Sequence, residues 1–462
     1  MRICLLNDSF PPVIDGVANT VLNYATLLTS EEKASVIVAT PRYPGVNYAE
    51  YPFRVLPYKS FDIGGAVEGY RAGNPLAVRT VSGMMEFHPD VIHTHCPVIS
   101  TMLARQVQHE TDAPLIFTYH TKFDLDIERA VRSRFLQKGG IRFLIENISA
   151  CDEVWAVSKG AGENLKSLGY TGEYTVMENG VDFPKGRVEK SRVDQVTAGY
   201  DLPEGVPVFL FVGRLLDYKG LPLIVDALQI LAEKEIPFRM VWIGGGADAE
   251  ALQQRVKEAG LSDRAFFTGP IQDREELRAW NTRADLFLFP STYDTNGIVV
   301  REAAACALAS VLIRDSSAAE GISDGRNGFL IDHNAEAMAA LLERLCAHPE
   351  KMREAGKHAM EEIYVSWSDS VKHAYERYQV VIENKKAGRY KEHRAAFSRR
   401  LLGATAEALS ATSDVKDAVR NNVLSAFDFY TKSLREGMME NISERIEEYR
   451  KSITARKEKD PE

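Results

Sequence analysis

Short apolar runs recur along the chain, separated by stretches with helical spacing. In the first half the runs are RICLLN (2–7), ASVIVAT (34–40), FRVLPY (53–58), DVIHTH (90–95), PLIFTYH (114–120), DEVWAVS (152–158) and YTVMENG (174–180). Between them, ANTVLNYATLL and AGENLKSLG carry apolar residues at helix-like intervals. Strands apolar throughout, alternating with helices, predict a parallel sheet covered on both faces. A polar, strand-poor bridge at about 184–205 follows, and a second series begins: VPVFLFVG (206–213), FRMVWIGGG (238–246), RAFFTG (264–269), DLFLFPS (285–291), ASVLI (309–313) and NGFLI (327–331). Helices such as GLPLIVDALQILAEK fall between these runs. The pattern predicts two similar α/β domains in tandem with a cleft between them. In open sheets of this kind ligands bind outside the carboxyl ends of the strands, so the loops after each strand should hold the chemistry.

From SWSDSVKHAYERYQVVIENK (366–385) onward the spacing is helical, and KKAGRYKEHRAAFSRR (385–400) is markedly basic. The expected divisions are 1–185 for the first domain, 186–365 for the second, 366–385 for a helix crossing back to the first, and 386–462 for a helical tail. That tail suits a homo-oligomer or partner contact.

A length of 462 residues exceeds one ordinary core. The 45% hydrophobic and 26% charged content fits a soluble globular chain. A net charge of −9 argues against a general nucleic-acid binder. The five cysteines are isolated and show no CxxC spacing, so neither a zinc site nor a disulfide framework is indicated and a reduced, cytoplasmic setting is expected. The N-terminal MRICLLNDSFPP lacks the long apolar region of a signal peptide. No uncharged run approaches the ~20 residues needed to cross a bilayer, so any membrane contact would be peripheral.

The strand–loop–helix stretch FPSTYDTNGIVVREAAA (289–305) places Asp294 in the loop and Glu302 inside an Ala-rich helix. Free N–H groups at that helix start suit negative charge or sugar oxygens. Asp294 could accept from hydroxyls, or cap the helix and compensate its dipole. Glu302 could reach a sugar diol, or pair with Arg301 or a more distant arginine. In GRLLDYKG, Gly213 and Arg214 end a strand and Lys219 precedes a helix; two cations there suit a diphosphate, while a solvated basic loop is the plainer alternative. IGGGAD (243–248), with Gly245 at its centre, could let the backbone approach a ligand. Gly16 lies in the first strand–helix loop, and His120 ends a strand where a cleft-facing residue belongs. His93 and His95 in VIHTH are expected to be satisfied structural histidines, since no carboxylate partner is evident.

Together these pieces resemble the GT-B glycosyltransferases, specifically the retaining family 4, over roughly residues 1–385. The matching segments are FPPVIDGV, HTH, FTYHT, DEVWAVS, ENGVD, FVGRLLDYKG, FTGPIQDREELRAWNTRADLFLFPS, the pair Asp294 and Glu302, and DGRNGFLI. The resemblance implies a fold of two Rossmann-like doubly wound parallel-sheet domains and a nucleotide-diphosphate sugar held mainly by the second. It places Arg214 and Lys219 at the diphosphate, and Gly213 and Gly245 count among the donor-sugar and nucleotide-binding positions. Glu302 falls at the ribose and Asp294 at donor-sugar hydroxyls, beside backbone N–H groups of Asn296, Gly297, Ile298 and Val299. Ile271 falls near the base, Gly16 at the diphosphate and His120 at the sugar C6 hydroxyl. Where most members carry Glu, this chain carries Asp294, one methylene shorter. The resemblance also implies same-face attack, with the leaving phosphate helping to take the acceptor proton, and no metal or cofactor.

IDGV resembles an NGV subgroup containing many enzymes that glycosylate diacylglycerol or phosphatidylinositol. In 126–149, Arg129, Arg132, Arg134, Lys138 and Arg142 mix with Phe135, Leu136, Phe143 and Leu144, which suits an anionic membrane surface or a helix packed on its own domain. The leading expectation is transfer from a UDP-sugar to a membrane lipid. A soluble or polyprenyl-linked glycan acceptor, or a non-catalytic sugar-nucleotide-binding scaffold, remains the alternative.

Overall fold

The computed structural model describes residues 1–13, 15–62, 71–75, 77–123 and 134–390. Two parallel sheets organise them. The first contains β1 (Arg2–Leu6), β2 (Ser35–Pro41) and β3 (Arg54–Tyr58). A two-stranded antiparallel pair follows, β4 (Ser60–Asp62) and β5 (Arg71–Gly73), which the apolar spacing did not announce because its strands are three residues each. The sheet resumes with β6 (Val91–Thr94), β7 (Leu115–Tyr119), β8 (Glu153–Ala156) and β9 (Thr175–Val176). Its order is β3-β2-β1-β6-β7-β8-β9. The run YTVMENG therefore contributes only two strand residues.

The second sheet is built from β10 (Val208–Val212), β11 (Arg239–Ile243), β12 (Ala265–Gly269), β13 (Leu286–Phe289), β14 (Ser310–Ile313) and β15 (Phe329–Ile331), in the order β12-β11-β10-β13-β14-β15. Both sheets start at a central strand, build one way, then return to build the other way. That is doubly wound, Rossmann-like topology, with a switch point between β1 and β6 in one and between β10 and β13 in the other. Strand residues such as Phe209, Leu210, Phe211, Val241, Trp242, Phe287 and Leu288 are fully buried, as a sheet covered on both faces requires.

By chain contacts there are two compact units, Met1–Ala156 with Gly162–Thr175 and Val371 onward, and Val157–Ala161 with Val176–Ser370. The helix Trp367–Lys386 begins in the second unit and ends in the first. Within the first unit its Arg377 makes a two-pronged ion pair with Glu153, at 2.7 and 2.9 Å. The tail from residue 391 lies outside the described residues, as do Arg129 and Arg132 and the side chain of Arg134. Among the described residues no helix is long and apolar enough to cross a membrane.

Candidate active site

The second unit's switch point gathers the loops after β10 and β13. Gly220 ends the first loop at φ +80°, and a Cβ there would stand 2.4 Å from the Pro290 carbonyl, so the two loops touch only because that position is bare. On the other side Gly244 carries φ +143°, and its missing Cβ would fall 1.9 Å from the Gly213 carbonyl. Of the glycine cluster, then, Gly244 and Gly246 meet tight approaches, a Cβ on the latter falling 2.3 Å from the Leu215 carbonyl, whereas at Gly245 the nearest atom to an added Cβ is 3.8 Å away. Two consecutive glycines are indistinguishable in sequence; the strand register decides which faces β10.

Lys219 is 9% exposed and its ammonium pairs with Asp294 Oδ1 at 2.5 Å. The same ammonium lies 5.7 Å from the Tyr218 ring and 5.6 Å from the Phe289 ring, within cation–π range. Arg214 is exposed, and its Nη2 donates to the Tyr218 hydroxyl at 3.3 Å. Asp294 Oδ2 is buried without a partner, as are both amide atoms of Asn296. Gly297 then turns left-handed, at φ 54°, and the helix Ile298–Ala305 begins, with Val300 N–H donating to the Gly297 carbonyl at 2.8 Å. The first-turn residues Ile298 and Val299 are half-buried, and Ile271, after β12, is half-buried too.

Glu302 is 7% exposed and pairs with Arg274, from the helix Arg274–Arg283. Of the pairings expected from sequence the distant arginine is realised, and Arg301 is not. Arg301 instead donates to the Ile363 carbonyl at 3.1 Å and to Glu178 at 2.6 Å. Burial pushes the Glu302 carboxyl above its usual range, and the Arg274 charge and hydrogen bond oppose that rise. Arg274 also lies over the Phe183 ring at 4.4 Å.

Two residues not anticipated stand behind this loop. Ser158 Oγ donates to the Thr295 carbonyl and accepts from Ala161 N–H at 3.0 Å. Glu320 accepts the N–H groups of Lys159, at 2.6 Å, and Gly160, satisfying the start of the helix Lys159–Ser167. Both line a small cavity with Asn296, Arg301 and Ser317. A serine directly after an apolar strand and before a helix was the available signal for Ser158; nothing local marks Glu320.

Gly16 and His120 belong to the first unit. Gly16 opens the helix Gly16–Ser30, capped by the Asp15 carboxylate, and no atom lies within 4 Å of where its Cβ would stand. His120 does not stand open at the strand end: it is 7% exposed, and its Nε2 bonds His95 Nδ1 at 2.9 Å. His93 is satisfied at both nitrogens, by Tyr378 and Thr118, each at 2.6 Å. His95 departs from that expectation, because its Nε2 is buried without a partner. Lys138 and Arg142 lie on the helix Arg134–Ile148, beside a groove lined by Ile141, Ile145 and Leu168. Arg142 pairs with Glu146 one turn on, at 2.9 Å.

Arg214, Lys219 and Asp294 thus lie in the loops after β10 and β13, at the carboxyl ends of a doubly wound sheet, where such folds bind ligands, and Glu302 lies on the helix that follows. Family models match on both halves: Glycosyltransferase Family 4 over residues 14–184 and Glycosyl transferases group 1 over residues 194–362. The chain belongs to the group 1, family 4 glycosyltransferases. Alpha-monoglucosyldiacylglycerol synthase of Streptococcus pneumoniae is 22% identical over 358 residues, covering 76% of this chain and 79% of that protein. Sulfoquinovosyl transferase SQD2 of Arabidopsis thaliana is 28% identical over 378 residues, covering 78% and 70%. Anabaena Alr3699/HepE, solved in complex with UDP, superposes with a TM-score of 0.66 at 17% identity, over 82% of this chain and 100% of that one. Sucrose-phosphate synthase from Thermosynechococcus elongatus gives 0.66 at 20% identity, over 83% and 99%. The structural likenesses establish the GT-B fold.

Proposed function

We propose that the chain is a retaining, metal-independent hexosyltransferase that moves a hexose from a nucleotide-diphosphate sugar, with UDP-sugars the favoured donors, to a membrane lipid such as diacylglycerol. The observation that carries this is the set of partnerless buried atoms at the loop after β13: Asp294 Oδ2 and both amide atoms of Asn296. A buried polar atom left unpaired costs about 1–3 kcal/mol, and the hydroxyls of a donor sugar would supply the missing bonds. Asp294 and Asn296 would hold the sugar, with the N–H groups of Ile298 and Val299 beside them. Glu302 would take the ribose hydroxyls, and the loop at Ile271 would meet the base. Gly16 would let the backbone near the diphosphate, and His120 would serve the sugar C6 hydroxyl.

When the anomeric C–O bond breaks, its electron pair leaves with the nucleoside diphosphate. Arg214 and Lys219 would favour that charge more than the ground state, which lowers the barrier as fixed donors do in an oxyanion hole. Lys219 pairs with Asp294, so donor binding would have to draw the ammonium toward phosphate. Same-face attack follows if the leaving phosphate takes the acceptor proton. The lipid acceptor is supported by relatives of this chain, two of which are alpha-monoglucosyldiacylglycerol synthases. The basic residues Lys138 and Arg142 beside an apolar groove suit the same surface.

The test is to incubate the full chain with UDP-glucose, UDP-galactose or GDP-mannose and vesicles containing diacylglycerol and anionic phospholipid, then identify the product and its anomeric configuration. Transfer to diacylglycerol with an α product, lost in Arg214→Ala, is expected. Transfer only to soluble or polyprenyl-linked glycans would overturn the acceptor; binding without hydrolysis or transfer would leave a sugar-nucleotide scaffold.

A further inference from the structure

The loop after β10 contains an aromatic residue between its two cations, and the geometry gives it both. We propose that Tyr218, backed by Tyr293, is a positioning residue that sets Arg214 and Lys219 for a diphosphate. This rests on the diphosphate role proposed above for those two side chains. The Tyr218 hydroxyl accepts from Arg214 Nη2 at 3.3 Å, and its ring lies 5.7 Å from the Lys219 ammonium. Tyr293 meets the same ring at 4.4 Å between centroids, tilted by 47°. Tyr293 precedes Asp294, the partner of Lys219. One tyrosine pair therefore joins the loops after β10 and β13 and touches both positive charges.

The need for such a device follows from the burial contrast. Lys219 is fixed by its ion pair and two rings, whereas Arg214 is exposed and otherwise free to sample many rotamers. Ordering a long side chain when ligand arrives weakens binding, and holding it beforehand removes that cost. Tyr218 holds Arg214 by its hydroxyl while its ring faces the Lys219 ammonium. The tyrosine need not touch the ligand.

The experiment measures, by calorimetry on the full chain, the affinities of UDP, UMP, GDP and GMP for wild type, Tyr218→Phe, Arg214→Ala and the double variant. In wild type the preferred diphosphate should bind more tightly than its monophosphate. Tyr218→Phe should reduce the diphosphate affinity about tenfold, the scale of one charge-assisted hydrogen bond, and leave the monophosphate unchanged. In the Arg214→Ala background the same change should add nothing, because the hydroxyl acts through that arginine. A diphosphate preference unaltered by Tyr218→Phe overturns the inference. So does an equal loss for both nucleotides, or a tenfold loss that persists without Arg214. A wild type that does not favour diphosphate overturns the underlying assignment of the cations, a result distinct from these.

Discussion

Three imidazoles share the core of the first unit, and acid should weaken that unit through them. His93, His95 and His120 are 0%, 2% and 7% exposed. The His93 and His95 ring centroids are 4.0 Å apart, and those of His95 and His120 are 5.2 Å apart. Tyr24, Trp155 and Tyr378 close around them, and Glu153, on the strand beside, is already committed to Arg377. A charge there would meet these aromatic rings and the other imidazoles. Burial pushes all three below the usual histidine range, His120 to about 3, and neighbouring imidazoles add to the fall for His93 and His95. The unfolded chain protonates near pH 6.5 while the folded one does not, so the unfolded state binds more protons and stability falls as the pH drops below about 6.5 toward the folded values. At pH 5.5 each histidine favours unfolding by about 1.4 kcal/mol, roughly 4 kcal/mol for three. That is a large share of the ~5–15 kcal/mol typical of native proteins. Cys4, fully buried in β1 of the same sheet, offers a local reporter. Its protection from alkylation against urea should give an opening free energy about 4 kcal/mol smaller at pH 5.5 than at 7.5, and His120→Gln should remove about a third of that difference. Burial also holds the Asp8 carboxyl above its usual range, and that shift acts with the opposite sign. Equal opening free energies at the two pH values, or an undiminished slope in His120→Gln, would refute the reasoning.

Two further outcomes follow from the second unit. Asp294→Ala strands a lysine that is 9% exposed, and losing one member of such a pair should cost ~3–5 kcal/mol in urea unfolding; adding Lys219→Met should recover most of it. Gly244→Ala should lower the melting temperature sharply because its Cβ would overlap the Gly213 carbonyl, whereas Gly245→Ala, with 3.8 Å to its nearest neighbour, should fold normally; equal melting temperatures would contradict the register described.

Apolar runs and their spacing determined the strands of the two parallel sheets and the two-sheet plan, though not the β4–β5 pair, because a strand buried on both faces is apolar at most of its positions. RICLLN, VPVFLFVG and DLFLFPS therefore announce β1, β10 and β13 without any partner in view. Strand–loop–helix order also marked Arg214, Lys219 and Asp294 in the loops after strands, and Glu302 in the helix that follows one of them. Which charge meets which was beyond it. Lys219 finds Asp294 75 positions away and Glu302 finds Arg274 28 positions away, although Arg301 is adjacent in sequence. Neighbouring residues on a helix point about 100° apart, so proximity along the chain is a poor guide to ion pairs. The burial of His120, the bare approach at Gly220 and the Tyr218–Tyr293 contact were likewise decided only by tertiary structure. Sequence periodicity records which face of an element is buried; the partner across that face is chosen when separate elements pack together.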